Sequence, residues 1–147
     1  MRKILFRGKR VDNGEWTEGY FIERDTPEYH AYIVKSFEGE VTDKCTDILK
    51  FDIAEVVPET VGQYTGCTDD ENNKIFEGDL IRNLEVYDDV SVVKYSDGEF
   101  ALQWKDSYDD SLSEYSVCSL LLDLLKVGNI YDNPDLLKWL DEEKVQV

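Results

Sequence analysis

A mainly β fold is what this sequence predicts, and three observations predict it. Asn13-Gly14 and Asp97-Gly98 each stand between extended segments, and such dipeptides supply the positive-φ residues of tight hairpin turns. Short alternating runs recur along the chain, among them HAYIV (30–34), VSVVKY (90–95) and EFALQW (99–104). An aromatic–x–Gly opening followed by a polar patch, Glu-Gly and an apolar pair occurs twice, in FRGKRVDNGEWTEGYFI (6–22) and YTGCTDDENNKIFEGDLI (64–81). The expected architecture is hairpins forming small curled sheets or partly open barrels in two related halves, with a short C-terminal helix. At 147 residues the chain fits one domain, with two lobes of about 1–60 and 61–147 as the natural subdivision.

The elements follow in order. Asn13-Gly14 predicts a hairpin of the I′ type, with residues 3–11 paired to 15–23. HAYIV is a strand, and Ser36 to Glu40 reads as a turn around Gly39. Thr46 to Ile53 mixes apolar and polar residues without strong periodicity, and Pro58 disfavours a central strand around Val57. In the second copy of the internal pattern, Tyr64 and Gly66 replace Phe6 and Gly8. Asn72-Asn73 is expected to turn there, since Asn tolerates positive φ. An acidic loop from Glu85 to Asp89 precedes the 90–104 hairpin, and 105–114 is a polar connection. The leucine-rich stretch 115–127 suits a helix or a buried strand, and periodicity leaves both open. Gly128-Asn129 interrupts it, and Ile130-Tyr131 is expected to be extended. The last helix should start at Asn133 as N-cap with Pro134 in its first turn. Leu136, Leu137 and Leu140 would then form its apolar stripe.

Charge is the strongest compositional signal. Thirty-three acids against 16 bases give −17, which disfavours direct nucleic-acid binding by the bulk surface. All five bases of the first ten residues, Arg2, Lys3, Arg7, Lys9 and Arg10, stand without an acid among them. This basic segment either lies against the acidic body and softens its self-repulsion or meets an acidic partner, a second copy included. The longest apolar clusters are too short to span a membrane, and charged Arg7 to Arg10 occupies the place of a signal peptide's apolar stretch. A cytoplasmic location is expected. Cys45, Cys67 and Cys118, odd in number and without Cys-x-x-Cys spacing, read as reduced structural thiols.

The motifs do not assemble into chemistry. Asp69-Asp70-Glu71 invites a calcium reading, but a loop starting at Asp69 puts Lys74 at the glycine position and Leu80 at the bidentate glutamate. A solvated hairpin turn fits better. His30, in an alternating context, reads as a half-buried strand residue. Cys118 in an apolar run and Cys67 beside acids both disfavour the thiolate. Phosphate-loop, dinucleotide and nucleophile-elbow patterns are missing from the sequence. Neither catalytic residues, metal nor cofactor are expected, and the three tryptophans and nine tyrosines read as core and interface.

Four segments nevertheless carry a resemblance: RKILFRGKRVDNGEW at the start, QYTG separated by eight residues from IFEGDLI, VVKYSDGEFAL, and GNIYDNPDLL. Together they resemble the YopX family of phage and prophage proteins. Glu71-Asn72 departs from the Asn-Gly that family members often carry in the second polar patch. The resemblance implies a mainly β fold, a phage or prophage origin and a location in the bacterial cytoplasm. It transfers no catalytic residue, because no activity is established for the family. Its signature positions, Gly66, Glu77, Gly78, Asp79, Gly128, Asn129, Asn133 and Pro134, all suit turns, strand entries and caps. The expected function is a non-enzymatic accessory protein acting through protein–protein contacts and self-association. The alternatives are an acidic DNA-mimic decoy for a host nucleic-acid enzyme and a carboxylate, metal-dependent enzyme.

Overall fold

Asp97-Gly98 and Asn13-Gly14 look alike as dipeptides and fold differently. In the computed structural model both Asp97 (φ 51°) and Gly98 (φ 84°) are left-handed, and Ser96 pairs with Glu99. That is the two-residue turn the sequence predicts. At the other site only Gly14 is left-handed (φ 72°). The loop is wider, with Arg10 N–H donating to Glu15 O and Gly14 N–H to Arg10 O, both at 2.9 Å. Asn13 leaves the expected I′ conformation because its Oδ1 accepts from Glu15 N–H at 2.9 Å, a local side-chain bond that competes with the backbone turn. Replacing Gly98 with alanine is expected to cost about 1 kcal/mol, since a Cβ is strained at this φ; the urea midpoint measures it.

The structure describes residues 1–83, 87–105, 112–116 and 124–137. Eleven strands lie among them: β1 (Phe6–Lys9), β2 (Trp16–Arg24), β3 (His30–Val41), β4 (Thr46–Val56), β5 (Gly62–Thr68), β6 (Lys74–Phe76), β7 (Asp79–Asn83), β8 (Tyr87–Ser96), β9 (Glu99–Lys105), β10 (Leu112–Ser116) and β11 (Leu124–Asn129). All pairings are antiparallel. The chain divides into two compact units, Met1–Gln63 and Tyr64–Val147. No helix among the described residues is long and apolar enough to cross a membrane.

In the first unit the strand order is β4-β3-β2-β1, with Gly62 and Gln63 of β5 beside β1. Ala31, Ile33 and Val56 form the core, covered by Phe6, Phe21 and Val61. A bridge between Arg10 and Val56 ties β4 back to the end of β1 at one point, so the sheet curls without closing into a barrel. The expected hairpin at 3–11 and 15–23 is present, narrowed to a ladder from Phe6–Gly19 to Lys9–Trp16. Ser36 to Glu40 does not turn. It continues β3, and the chain reverses at Thr42–Cys45, where Thr42 Oγ1 accepts from Lys44 and Cys45 N–H. Gly39 is needed for another reason: a Cβ there would lie 2.1 Å from Asp47 O in the paired strand. A glycine serving close backbone approach was read as one serving a bend.

Beyond Val34 the β3–β4 hairpin runs past the core as a two-stranded ribbon. Its residues from Lys35 to Ile53 are exposed on both faces, which is why Thr46 to Ile53 shows no alternation. Leu49 (76% exposed) and Val41 (74%) stand in water, and Phe37, Ile48, Phe51 and Ile53 are about half exposed.

In the second unit the later part of β5 pairs with β6, and β10-β9-β8-β7-β11 form a five-stranded sheet. Successive residues of a strand point to opposite faces, so Leu80 and Ile81, both fully buried, require cover on each side. Ile81 joins Ile75, Val93, Leu102, Trp104 and Leu124; Leu80 joins Val90, Val92 and Leu137. Residues 112–116 and 124–129 are strands rather than polar connection or helix, and residues 117–123 lie outside the described ones. Gly128-Asn129 belongs to β11, with a bulge between Lys126 and Gly128. Ile130-Tyr131 is a turn, not extended, because Asn129 Oδ1 captures the N–H groups of Tyr131 and Asp132. Where the C-terminal helix was expected, the described residues form a 3₁₀ turn at Pro134–Leu136, and Leu140 lies outside them.

Candidate functional site

The positions that the sequence singled out in the second unit converge. Asp79, just after the Glu77-Gly78 turn, pairs across the ladder with Asn129, and Leu80 with Gly128. Ile130 N–H donates to Gly78 O (2.9 Å), and Gly78 N–H to Val93 O (2.8 Å). Gly78 is left-handed at φ 84°. Gly128 has no room for a side chain, since a Cβ would meet Asn133 Oδ1 at 2.3 Å. Asn133 makes no side-chain cap to the turn that follows. Its Oδ1 accepts instead from Asn129 N–H (3.3 Å), so the expected N-cap is a clasp on the loop before Pro134.

Asp79 is fully buried. Its Oδ2 accepts from Phe76 N–H at 2.8 Å and lies 3.1 Å from Lys126 Nζ. That ammonium also donates to Lys74 O (3.4 Å) and lies 5.9 Å from the centre of the Phe76 ring. A carboxylate so enclosed holds a turn and a neighbouring strand and is closed to solvent-borne substrate.

Asp69 does the same at the other end of β6. The acidic run was read as solvated, and for Asp69 that is corrected: the residue is 5% exposed. Oδ1 accepts from the N–H groups of Glu71 and Asn73, both at 2.9 Å. Oδ2 accepts from Asn73 Nδ2 (3.1 Å) and Lys126 N–H (3.2 Å). Burial pushes the carboxyl up, but the Asn73 side chain and the three backbone donors outweigh it and hold Asp69 below its ordinary range. Asn72 is left-handed at φ 63°, but the turn is made by Asp70-Glu71 ahead of it rather than by Asn72-Asn73: Asn72 N–H donates back to Asp69 O at 3.0 Å, and Asn73 O already accepts from Asp69 N–H at 2.9 Å. Gly66, left-handed at φ 86°, interrupts the pairing between Tyr64–Phe76 and Thr68–Lys74, and the Tyr64 and Phe76 rings lie 5.6 Å apart. Gly8 plays a different part in regular β1, where a Cβ would meet Val56 at 2.9 Å.

The five N-terminal bases fall into three places in the first unit. Arg7 is 5% exposed with its guanidinium 4.5 Å from the Trp16 ring centre, and Lys9 Nζ lies 5.5 Å from the same ring. Arg10 grips Asp12 through Nε (2.9 Å) and a second nitrogen (2.7 Å). Arg2 and Lys3 are exposed and line an open groove of about 640 Å³ with Ile4, Phe6, Tyr20 and Phe21. His30 is half-buried at the start of β3, its Nδ1 2.6 Å from Glu55 Oε1. Cys45 and Cys67 are free thiols, and Cys118 lies outside the described residues. Among the described residues no three His, Cys, Asp or Glu side chains are grouped to hold a metal ion.

Sequence reasoning missed Asp69 and Lys126. An aspartate two and four residues before turn N–H groups is the usual sign of a carboxylate folding its own loop. For Lys126 nothing in the local sequence signals the role. Fold and brace define an antiparallel β protein of two units whose notable carboxylates hold backbone. The YopX protein family matches residues 5–138, and the chain belongs to that family. No curated protein matches it. Among solved structures it is similar to protein EF1440 from Enterococcus faecalis, with TM-score 0.64 and 21% identity over 94% of this chain and 100% of that one. That likeness shows the fold.

Proposed function

We propose that the chain is a non-enzymatic accessory protein of phage or prophage origin, working in the bacterial cytoplasm through protein–protein contacts, self-association among them. The observation that carries this reading is the β3–β4 ribbon, where Phe37, Val41, Ile48, Leu49, Phe51 and Ile53 stand exposed beyond any core. Two strands alone are marginal in water, and clustered exposed apolar residues mark interaction surfaces. The buried carboxylates support the same reading, because Asp69 and Asp79 each hold backbone and a neighbouring strand. Light scattering on a size-exclusion column over a wide concentration range tests self-association. A mass that rises with concentration is expected, and a monomer throughout removes that part. Affinity capture from the host bacterium followed by mass spectrometry tests the rest: a specific partner whose recovery falls when the ribbon's apolar residues become polar is the expected result.

A further inference from the structure

The ribbon's outer strand carries the pattern of a surface made for itself. β4 is the edge strand of its sheet. Near its end the edge is occupied: Val11 N–H donates to Glu55 O at 3.0 Å, and Val57 N–H to Lys9 O at 2.8 Å. The first bond shows that the Glu55 carbonyl points outward from β3. Backbone direction alternates along a strand, so Ile53 and Phe51 present their N–H and C=O groups on the same outer edge. Upstream of Glu55 this edge has no neighbour among the described residues.

An antiparallel copy of β4 can meet that edge in few registers. Centring the two-fold on Phe51 places Phe51 opposite the partner's Phe51 and Lys50 opposite the partner's Asp52; at Leu49 the pairing of β4 with β3 steps from Lys50 to Ile48, a bulge that ends the regular run of the strand. The two Phe51 residues then exchange backbone hydrogen bonds, while Lys50 and Asp52 fall at the closely spaced non-bonded positions, where side chains interact most. Centring on Lys50 would oppose two ammonium groups, and centring on Leu49 would set Phe51 against the partner's Asp47. Centring on Asp52 would oppose two carboxylates, so among the registers about residues 49 to 52 the one about Phe51 alone sets opposite charges together with aromatic against aromatic.

We propose that two copies of this chain pair edge to edge through β4, antiparallel about Phe51, each Lys50 facing the partner's Asp52. The proposal rests on the self-association reading and names its surface and register. Exposed edges are templates for another strand, and a two-fold interface is self-complementary by construction. Pairing also brings together the two Phe51 side chains, each about half exposed in the monomer. The ladder is bounded on one side by the bulge at Leu49 and on the other by Val11, which already holds Glu55.

A charge-swap cycle tests the register by analytical ultracentrifugation, with circular dichroism confirming that each variant folds. Lys50→Asp and Asp52→Lys each turn two attractive pairs into two repulsive ones and are expected to weaken the dimer about tenfold. The double variant K50D/D52K restores opposite charges and returns affinity to within about threefold of the parent. Asp52 also feels the charge of Arg10, so D52K alone has a second way to disturb the chain; the rescue separates the two. Phe51→Cys with Cys45→Ser is expected to form a disulfide mapped to position 51 in both copies, since Cα atoms at bonded pairs are about 5.5 Å apart. A dimer indifferent to both single charge changes overturns this register while leaving self-association standing. A parent protein that stays monomeric overturns both.

Discussion

Replacing Asp79 with alanine is expected to cost about 3 kcal/mol of folding stability, the lower end of what breaking a buried ion pair costs. Two losses add. Lys126 keeps its charge with the counter-ion gone, and Phe76 N–H loses the acceptor that closes the Glu77-Gly78 turn. The lower end is appropriate because the Lys126 side chain retains 25% exposure, so its stranded charge reaches some water. Lys126→Met should cost more than a surface change, since the fully buried carboxylate then loses its counter-ion. The double variant D79A/K126M is expected to recover part of the single D79A loss by removing the stranded charge, but the Phe76 N–H remains unanswered. Urea unfolding midpoints, with the slope checked for constancy, provide the cycle. A D79A cost below about 1 kcal/mol would show that the turn is held by its backbone bonds alone.

Elements whose residues answer only to neighbours in sequence were readable in advance. Asp97-Gly98 makes its turn because two small-cost positive-φ residues meet there, and nothing distant intervenes. Misreadings fall where a distant strand decides the role. Gly39 is small because Asp47 O approaches it, not because the chain bends. Thr46 to Ile53 is a strand without alternation, since a ribbon exposed on both faces has no inside to alternate toward. Asn133 has the credentials of a helix cap, yet its oxygen is taken by Asn129 N–H four residues upstream. Gly78 is left-handed in its turn and Asp79 accepts from Phe76 N–H, but the meeting of these residues with Gly128, Asn129 and Asn133 was not readable. Residues 77–79 and 128–133 share one ladder only because β7 and β11 pair, and pairing of strands so far apart leaves no local mark.

Asp69 gives the second large effect, and it depends on pH. Asparagine is the nearest isostere and is expected to be a poor one, costing about 2–3 kcal/mol at neutral pH. Each carboxylate oxygen accepts two hydrogen bonds, so whichever way the amide turns, its NH₂ confronts two donors. One orientation sets it against Asn73 Nδ2 and Lys126 N–H, the other against the N–H groups of Glu71 and Asn73. The same donors hold the folded carboxyl below the pKa of an unfolded aspartate, about 3.9, against the opposing pull of burial. With the folded value the lower of the two, the unfolded chain binds the extra proton first on acidification. The contribution of Asp69 is therefore complete above about pH 3.9 and is lost as pH falls through its folded pKa. Other carboxylates titrate in the same window, so the informative quantity is the difference in unfolding free energy between the parent and Asp69→Asn, measured from pH 7 downward. That difference should hold steady through pH 5 and shrink below about pH 4. A gap that is constant to pH 2.5 would mean that the charge of Asp69 contributes nothing and that shape alone explains its place in the loop.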